Sequence, residues 1–234
     1  MGTKYLDMTF THAVRRAQIQ YYGNAGTITN APEPDRLGQT EAEFIALRDS
    51  FYLGSISESG WPYIQHRGGP PGFLRVIDET TLAFADYKGN RQLLSTGNIS
   101  ANDRVALFLM DYKNRERLKI LGHARAEDAR PHPELAGQIN DPTMRRSVER
   151  LVFIDVVSFD WNCRNYIRPR YSLEEVEQLV DPLRKRLVEL EDALRAGKHE
   201  QPKADHQPAQ EARDGKAMGN SRSRSTDTSL HTRQ

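Results

Sequence analysis

Short strand-like segments separated by turn-forming residues occupy the middle of this 234-residue sequence. They alternate between apolar and polar positions or form short apolar runs, and both patterns are typical of β-strands. The segments cover residues 51–57, 61–67, 73–78, 81–85, 105–110, 117–127 and 151–159. The run at 105–110 is apolar throughout, which predicts a strand covered on both faces. Many strands with only short helices between them predict a mainly β fold of the α+β class, an antiparallel barrel or sandwich.

Helical segments flank and interrupt these strands. Apolar residues at spacings of three and four predict a helix over residues 10–22. Thr40 and Glu43 have capping-box spacing, so we expect a helix to start there and to end near Asp49. At least one more helical stretch is expected within residues 131–148.

The C-terminal quarter has a different pattern. Ser172 and Glu175 again have capping-box spacing, and Asp181 followed by Pro182 predicts the start of a further helix over residues 181–197. Its apolar residues are spaced four, three and four apart, and they form a narrow seam that needs a partner surface: Leu183, Leu187, Leu190 and Leu194. Residues 198–234 hold hardly any large apolar side chain, so we predict a disordered polar tail.

Composition excludes several kinds of protein. Lys+Arg 33 and Asp+Glu 32 give a net charge of +1, so we expect neither nucleic acid nor a membrane as a partner. Cys163 is the single cysteine, which excludes an internal disulfide and a cysteine-built metal site and fits a reducing cytoplasm. We find no signal peptide and no apolar run of membrane-spanning length. A soluble cytoplasmic protein without a metal site is expected.

A polar strand face followed by a glycine-proline turn is the first candidate site. In the stretch WPYIQHRGGPPG, alternation places Tyr63, Gln65 and Arg67 on one face, and Ile64 and His66 on the other. The glycines that follow allow the backbone to turn sharply or to approach a ligand closely. A hairpin corner with a solvated face is the ordinary alternative.

Two later segments add cationic and amide side chains. In RLKILGHARAE, alternation places Arg117, Lys119, His123 and Arg125 on one face of a strand, where simple solvation is again the alternative. In YKGNRQ, four polar residues occupy a strand-to-helix junction: Lys88, Asn90, Arg91 and Gln92. Amide N–H groups and the helix dipole favour an anion at such a junction. Together these segments predict a phosphate site, although no Walker or dinucleotide motif is present.

Four longer stretches resemble a known family. They are RDSFYLGSISESGWPYIQHRGGPPGFL, FADYKGNRQLLSTGNI, DRVALFLMDYKNRERLKILGHAR and FDWNCRNYIRPRY. As a set they resemble the pyridoxamine 5'-phosphate oxidase-like, FMN-binding split-barrel family over residues 10–179. The resemblance implies a six-stranded antiparallel split β-barrel with peripheral helices over residues 1–180. It also implies a homodimer with FMN bound in clefts between the subunits.

The resemblance assigns cofactor-binding roles to particular residues. The strand along the flavin resembles the stretch from Tyr63 to Gly68, which includes His66; Gln65 stands where the oxidases have a phosphate-binding Arg, and Arg67 follows two residues later. The phosphate motif is matched by Asn90 and Arg91, with Lys88 and Gln92 beside them.

The resemblance assigns further cofactor-binding residues in two other segments. Arg117 stands where the family has a Gln near the flavin, and Lys119 lies on the same face. The contribution of the partner subunit resembles the segment that contains Trp161, Asn162 and Arg168. Within that segment the tripeptide Arg-Asn-Tyr at residues 164–166 departs from the Pro-Gln-His of related chains.

The substrate-recognition sequence of the oxidases, of the type Arg-Leu-His-Asp-Arg, is not found near the C-terminus. We therefore expect an FMN-dependent oxidoreductase that acts on another small molecule, with a reduced nicotinamide as electron donor, rather than a pyridoxamine phosphate oxidase. The alternative is a non-catalytic module that binds flavin, haem or a deazaflavin for storage, sensing or regulation. His66 and His123 are acid-base candidates, but a histidine on a strand is more often a hydrogen-bonded wall residue.

Overall fold

The computed structural model of the protein describes residues 3–27, 31, 33–143, 147–161 and 165–199. The chain divides into two units, Met1–Val176 and Glu177–Gln234. The first unit holds the whole β-sheet, and the described part of the second is helical. The predicted disordered tail lies outside the described residues from position 200 onward. In the described ranges, no helix combines the length and the apolar composition needed to cross a membrane.

In the described part of the chain, three helices come first, four strands follow, and the remaining three strands lie between helices. The elements are α1 (Thr3–Thr9), α2 (His12–Tyr22), α3 (Gln39–Ala46), β1 (Ser50–Ile56), β2 (Pro62–Gly68), β3 (Arg75–Val76), β4 (Thr81–Tyr87), α4 (Leu94–Ala101), β5 (Arg104–Asp111), β6 (Glu116–Asp128), α5 (Pro133–Ile139), β7 (Val148–Trp161) and α6 (Leu173–His199).

All seven strands belong to one antiparallel sheet in the order β2-β1-β5-β6-β7-β4-β3. Six of them are long and β3 has two residues, which confirms the predicted mainly β, α+β fold. Arg67 near the end of β2 and Asp86 near the end of β4 approach within 2.7 Å. Since the two strands lie far apart in the sheet order, the sheet must curl to bring these side chains together. Side chains, not a backbone ladder, therefore link β2 to β4 across the split.

The main core lies on the concave side of this sheet. Alternate residues of every long strand except β2 point into it, among them Phe51, Leu107, Ile120 and Ile154. On β5 only alternate positions are buried and Ala106 is exposed, so the described part of one chain does not provide the predicted cover on both faces. The reason is that only the concave face of β5 is covered by the described part of this chain.

A smaller core cluster covers the convex side at the other end of the sheet. Here α5 packs on β4, and Ile139 belongs to the same cluster of buried residues as Ala83, Ala85 and Phe153. Tyr87 secures the end of α5, because its hydroxyl donates to Asn140 Oδ1 (3.0 Å) and accepts from the Asp141 amide (3.2 Å). This cluster explains why β4 is buried on both faces.

Local caps set the helix boundaries. The predicted helix over residues 10–22 begins at His12, because the Thr11 hydroxyl caps it by accepting from Val14 N (3.4 Å). The predicted capping box at Thr40 and Glu43 is displaced by two residues, since Glu41 Oε2 accepts from the Gly38 amide (3.0 Å). A glycine N-cap lacks the side chain by which such motifs are recognised in sequence.

α6 confirms one predicted cap and corrects one predicted boundary. Ser172 N donates to Glu175 Oε2 (2.9 Å) and Glu175 N donates to Ser172 Oγ (3.2 Å), as a capping box requires. The helix does not break at Asp181, and it runs on through Pro182 to His199. An internal proline removes one backbone hydrogen bond, and the strong helix formers on either side allow the helix to continue.

Candidate functional site

A cavity of about 290 Å³ lies where β2, β4 and the start of α4 meet. Tyr63, Gln65 and Arg67 project into it from β2, as the alternation of that strand predicts. The loop from Gly89 to Leu93 and the first turn of α4 close another side. Three guanidinium groups and one carboxylate line the cavity, namely Arg67, Arg91, Arg150 and Asp86. The described lining is therefore cationic.

Asp86 joins two of these arginines. Its Oδ1 accepts from Arg67 Nη1 (2.7 Å), and its Oδ2 accepts from Arg150 Nε (2.8 Å). Asp86 is only 8% exposed, so both hydrogen bonds form in a largely desolvated place and fix the two guanidinium groups. Arg67 also lies over the Phe84 ring at 5.4 Å. Its Nε is buried and has no hydrogen-bond partner in the described part of the chain.

The first turn of α4 offers backbone donors to the same cavity. Leu93, the N-cap residue, has φ 55° and provides no side-chain cap. The amide N–H groups of a first turn have no partner within their own helix, and Ser95 and Thr96 line the cavity. Ser95 Oγ donates to Gln65 Oε1 (2.6 Å), and Asn98 Nδ2 donates to Ser55 Oγ (3.0 Å). These two bonds hold α4 against β2 and β1.

The loop before α4 has an unusual backbone. Arg91 (φ 62°) and Leu93 (φ 55°) both adopt the left-handed region, which costs an L-residue roughly 1 to 2 kcal/mol. Asn90 Oδ1 stabilises the loop by accepting from the Gln92 amide (3.1 Å). This strained geometry holds the exposed Arg91 at the mouth of the cavity.

A second cavity of about 450 Å³ adjoins the first and shares Arg91 and Arg150 with it. Arg130 at its rim is hydrogen-bonded to Asp128. Hydrogen bonds from the Arg130 side chain and backbone lower the pKa of Asp128 to about 2. Asp128 is ionised at neutral pH and offsets the charge of Arg130. Arg150 is paired as well, with Asp86 and with Glu149 (3.3 Å), so Arg91 is the shared cation that has no acidic partner among the described residues.

Five of the residues that the sequence predicted come together in the first cavity. Gln65 and Arg67 arrive from β2, and Asn90, Arg91 and Gln92 arrive from the loop. All five residues belong to the same chain. The cavity brings together the β2 strand and the strand-to-helix junction, two of the segments from which the sequence predicted one phosphate site.

Three predicted neighbours of these residues lie outside the cavity. His66 is exposed on the convex face, where it meets Tyr52 edge-on at 5.6 Å. Gly68 ends β2, paired with Ser50, and Lys88 donates its backbone N–H to Ser147 O (3.0 Å). None of the three lines the cavity between β2 and α4.

The predicted basic face of β6 exists, but much of its charge is paired. Lys119 Nζ lies 2.7 Å from Asp160 and 4.6 Å from the Tyr5 ring centroid. His123 and Arg125 on the same face pair with acidic residues as well. Arg117 differs, because its buried Nε has no hydrogen-bond partner among the described residues.

The segment after β7 is described in part. The Trp161 ring packs edge-on against Phe44 at 4.7 Å, and its Nε1 donates to Glu41 Oε1 (2.7 Å). These contacts stabilise the chain to which Trp161 belongs. Arg168 is exposed. Asn162 and Cys163 lie outside the described residues.

The glycines of the turn after β2 lie close to other parts of the protein. Gly69 lies against the Phe73 side chain, where an added Cβ would come within 2.7 Å of that ring. Gly72 has φ 80° and lies over the carbonyl of Ala46 at the end of α3. The close approach that these glycines allow is therefore to the protein itself.

Sequence reasoning missed Asp86, Ser95 and Arg150. Asp86 and Arg150 are opposed residues of β4 and β7, separated by 64 positions in sequence. Their pairing depends on the register of β4 against β7, and the sequence of neither strand reveals that register by itself. Ser95 could have been suspected, because it opens the helix after the predicted anion-binding junction.

A comparison with known protein families shows which family this chain belongs to. The pyridoxamine 5'-phosphate oxidase family matches residues 37–153, which is half of the chain. This chain belongs to that family. The match covers β1 to β6 and part of β7, so it includes every residue that lines the first cavity. Membership confirms the resemblance that the four sequence stretches indicated.

Several solved structures are similar at low identity. An F420 reductase is 16% identical, with TM-score 0.40, over 53% of this chain and 98% of its own. The HupZ protein of Group A Streptococcus is 15% identical, with TM-score 0.42, over 53% and 91%. A pyridoxamine 5'-phosphate oxidase-related, FMN-binding protein of Nostoc punctiforme is 14% identical, with TM-score 0.36, over 48% and 73%. Among curated proteins, none matches this sequence.

Proposed function

We propose that this protein is an FMN-dependent oxidoreductase that acts on a small molecule, and that the first cavity binds the FMN phosphate. The observation that carries the proposal is the set of donors in that cavity. Arg91 at its mouth, the Arg67–Asp86–Arg150 cluster at its wall and the first turn of α4 all offer N–H groups. A phosphate dianion is best held by such charge-assisted hydrogen bonds.

The residues present fit FMN. The buried Arg67 Nε, which has no partner in the described ranges, is a donor that a bound anion would satisfy. The lining also lacks the glycine-rich motif that a dinucleotide pyrophosphate usually requires, which favours FMN over FAD. When bound, FMN supplies the redox chemistry. This chain contributes binding of the phosphate, orientation of the cofactor and a positive local field.

We further propose that the working form is a homodimer. The convex face of β2, β1, β5 and β6 carries apolar side chains that the described part of one chain leaves uncovered, including Ile64 (70% exposed), Tyr52 and Ile56. Strand register places Phe108 opposite both Tyr52 and Lys119 on this face. A second copy would cover the patch and could satisfy the buried Nε of Arg117 on the same face. Its residues could also complete the flavin site.

The cofactor proposal is tested on the purified protein. Flavin absorbance bands, with FMN as the molecule released on denaturation, are the expected result, whereas a Soret band or a released deazaflavin would overturn the assignment. Arg91→Ala should weaken FMN binding by about 1.5 to 3 kcal/mol, or roughly tenfold to a hundredfold. Lys88→Ala removes an adjacent cation that does not line the cavity, and it should leave the FMN affinity nearly unchanged. Equal losses in both variants would contradict the assigned role of Arg91.

The dimer is tested separately by sedimentation. Ile64→Glu should dissociate the dimer without unfolding the chain, because Ile64 is solvent-exposed in a single copy. Ile77→Glu is the matched control, since Ile77 is also exposed but follows β3 at the opposite end of the sheet. Turnover is then tested by screening the FMN-loaded dimer with reduced nicotinamides and conjugated small molecules. Failure of every donor to reduce the flavin would favour a non-catalytic role.

A further inference from the structure

A seam of leucines on α6 remains without a partner among the described residues. Four leucines lie on one side of the helix at spacings of four, three and four, and all are exposed: Leu183, Leu187, Leu190 and Leu194. The alternation of three and four is the a/d pattern of a coiled coil, with Leu187 and Leu194 at a and Leu183 and Leu190 at d. The seam begins directly after Pro182, which lies inside α6.

We infer that the α6 seam pairs with the α6 seam of a second copy of this chain. Two arrangements match all four leucines with leucines. In a parallel pair each leucine meets its own counterpart, and in an antiparallel pair Leu183 meets Leu194 while Leu187 meets Leu190. The seam is self-complementary in both arrangements, which suits a symmetric dimer.

The charges beside the seam support a second copy as the occupant. Residues at positions e and g of a coiled coil face the other helix. Glu191 occupies an e position, and in the parallel pair it meets Arg186 of the other copy. In the antiparallel pair it meets Arg184 of the other copy. Both arrangements therefore join opposite charges, whereas the antiparallel pair displaced by one heptad would place Arg184 against Arg184.

The charged side chains are available for such contacts. Within one helix, Arg186 pairs with Glu189 (2.8 Å) and Arg184 with Asp181 (3.5 Å). All four side chains are more than half exposed, and exposed pairs of this kind contribute little to stability. Exchanging them for contacts across the seam should therefore cost little.

The inference rests on the proposed homodimer. A coiled coil of only about two heptads is marginal as an isolated pair of helices. Chains already joined through the sheet would hold their two α6 helices at a high effective concentration, which makes a short seam sufficient.

The test uses disulfide crosslinking of the full chain with Cys163→Ser, because Cys163 is the single native cysteine. Leu187→Cys should crosslink with itself under mild oxidation if the pair is parallel. A mixture of Leu187→Cys and Leu190→Cys chains should form the mixed crosslink if the pair is antiparallel. Lys185→Cys is the control, since position f lies away from the seam, and it should give at most a tenth of the crosslink.

The outcomes separate this inference from the proposed dimer. A dimer by sedimentation that gives neither crosslink, or gives no more than Lys185→Cys, overturns the pairing of α6 and leaves the sheet interface standing. A monomer overturns both. As a second measurement, Glu191→Lys should reduce the crosslink severalfold, and mixing it with an Arg184→Glu/Arg186→Glu chain should restore it. No such restoration would show that another surface covers the seam.

Discussion

Replacing Asp86 by Asn should weaken FMN binding, although it removes a negative charge from the proposed phosphate site. If only net charge mattered, the loss of a carboxylate beside Arg67 and Arg150 would strengthen phosphate binding. The structure predicts the opposite, because Asp86 holds both guanidinium groups in place through bonds of 2.7 and 2.8 Å. Asp86 is a positioning residue in this view.

The magnitude follows from these contacts. Asn retains one acceptor oxygen, so the variant loses one hydrogen bond between charged groups, about 1.5 to 3 kcal/mol of folding stability. For a chain of this size that corresponds to a fall in Tm of about 3 to 12 °C. An arginine released from Asp86 recovers rotamer freedom of up to about 2 kcal/mol, which FMN must then remove on binding. The FMN affinity should therefore fall by up to about thirtyfold.

The assay is fluorescence titration of FMN at a temperature where the variant is folded. Asp111→Asn is the matched control, because Asp111 is also 8% exposed and is paired with an arginine, Arg48, at 3.0 Å. It lines a different cavity and should lose stability without losing FMN affinity. An Asp86→Asn variant that binds FMN as well as the unchanged protein, or more tightly, would refute the positioning role.

Two further predictions concern the frame of the site. Burial acts to raise the pKa of Asp111, but hydrogen bonds from Asn114 and the charge of Arg48 outweigh it and hold the pKa below its usual 3.8. The resulting stability is present above the unfolded-state pKa of about 3.9 and is lost as pH falls through the lower folded-state pKa. Urea unfolding across that range should therefore show a smaller acid loss in Asp111→Asn than in the unchanged protein; equal losses would contradict this. Trp161→Phe should keep the packing against Phe44 but lose the hydrogen bond to the Glu41 carboxylate, which lowers the free energy of unfolding by about 1.5 to 3 kcal/mol. A loss of FMN affinity at unchanged stability would instead indicate direct contact with the cofactor.

The sequence by itself determined the strands and the two polar segments of the site. Alternation along β2 and β6 correctly assigned which side chains share a face, because successive side chains of a strand point in opposite directions whatever surrounds them. Ser172 and Glu175 were found for the same reason, since a capping box involves residues only three positions apart. The motifs from Arg48 to Arg125 were sufficient to indicate the family that residues 37–153 match.

Tertiary structure alone decided which of these residues meet. The curl of the sheet brings Arg67 to Asp86, and the register of β4 against β7 adds Arg150 to the same carboxylate. It also separates Arg117 and Lys119 from the cavity by placing them on the convex face. Register and curvature depend on how distant strands pack together, and the residue pattern of a single segment does not determine that packing.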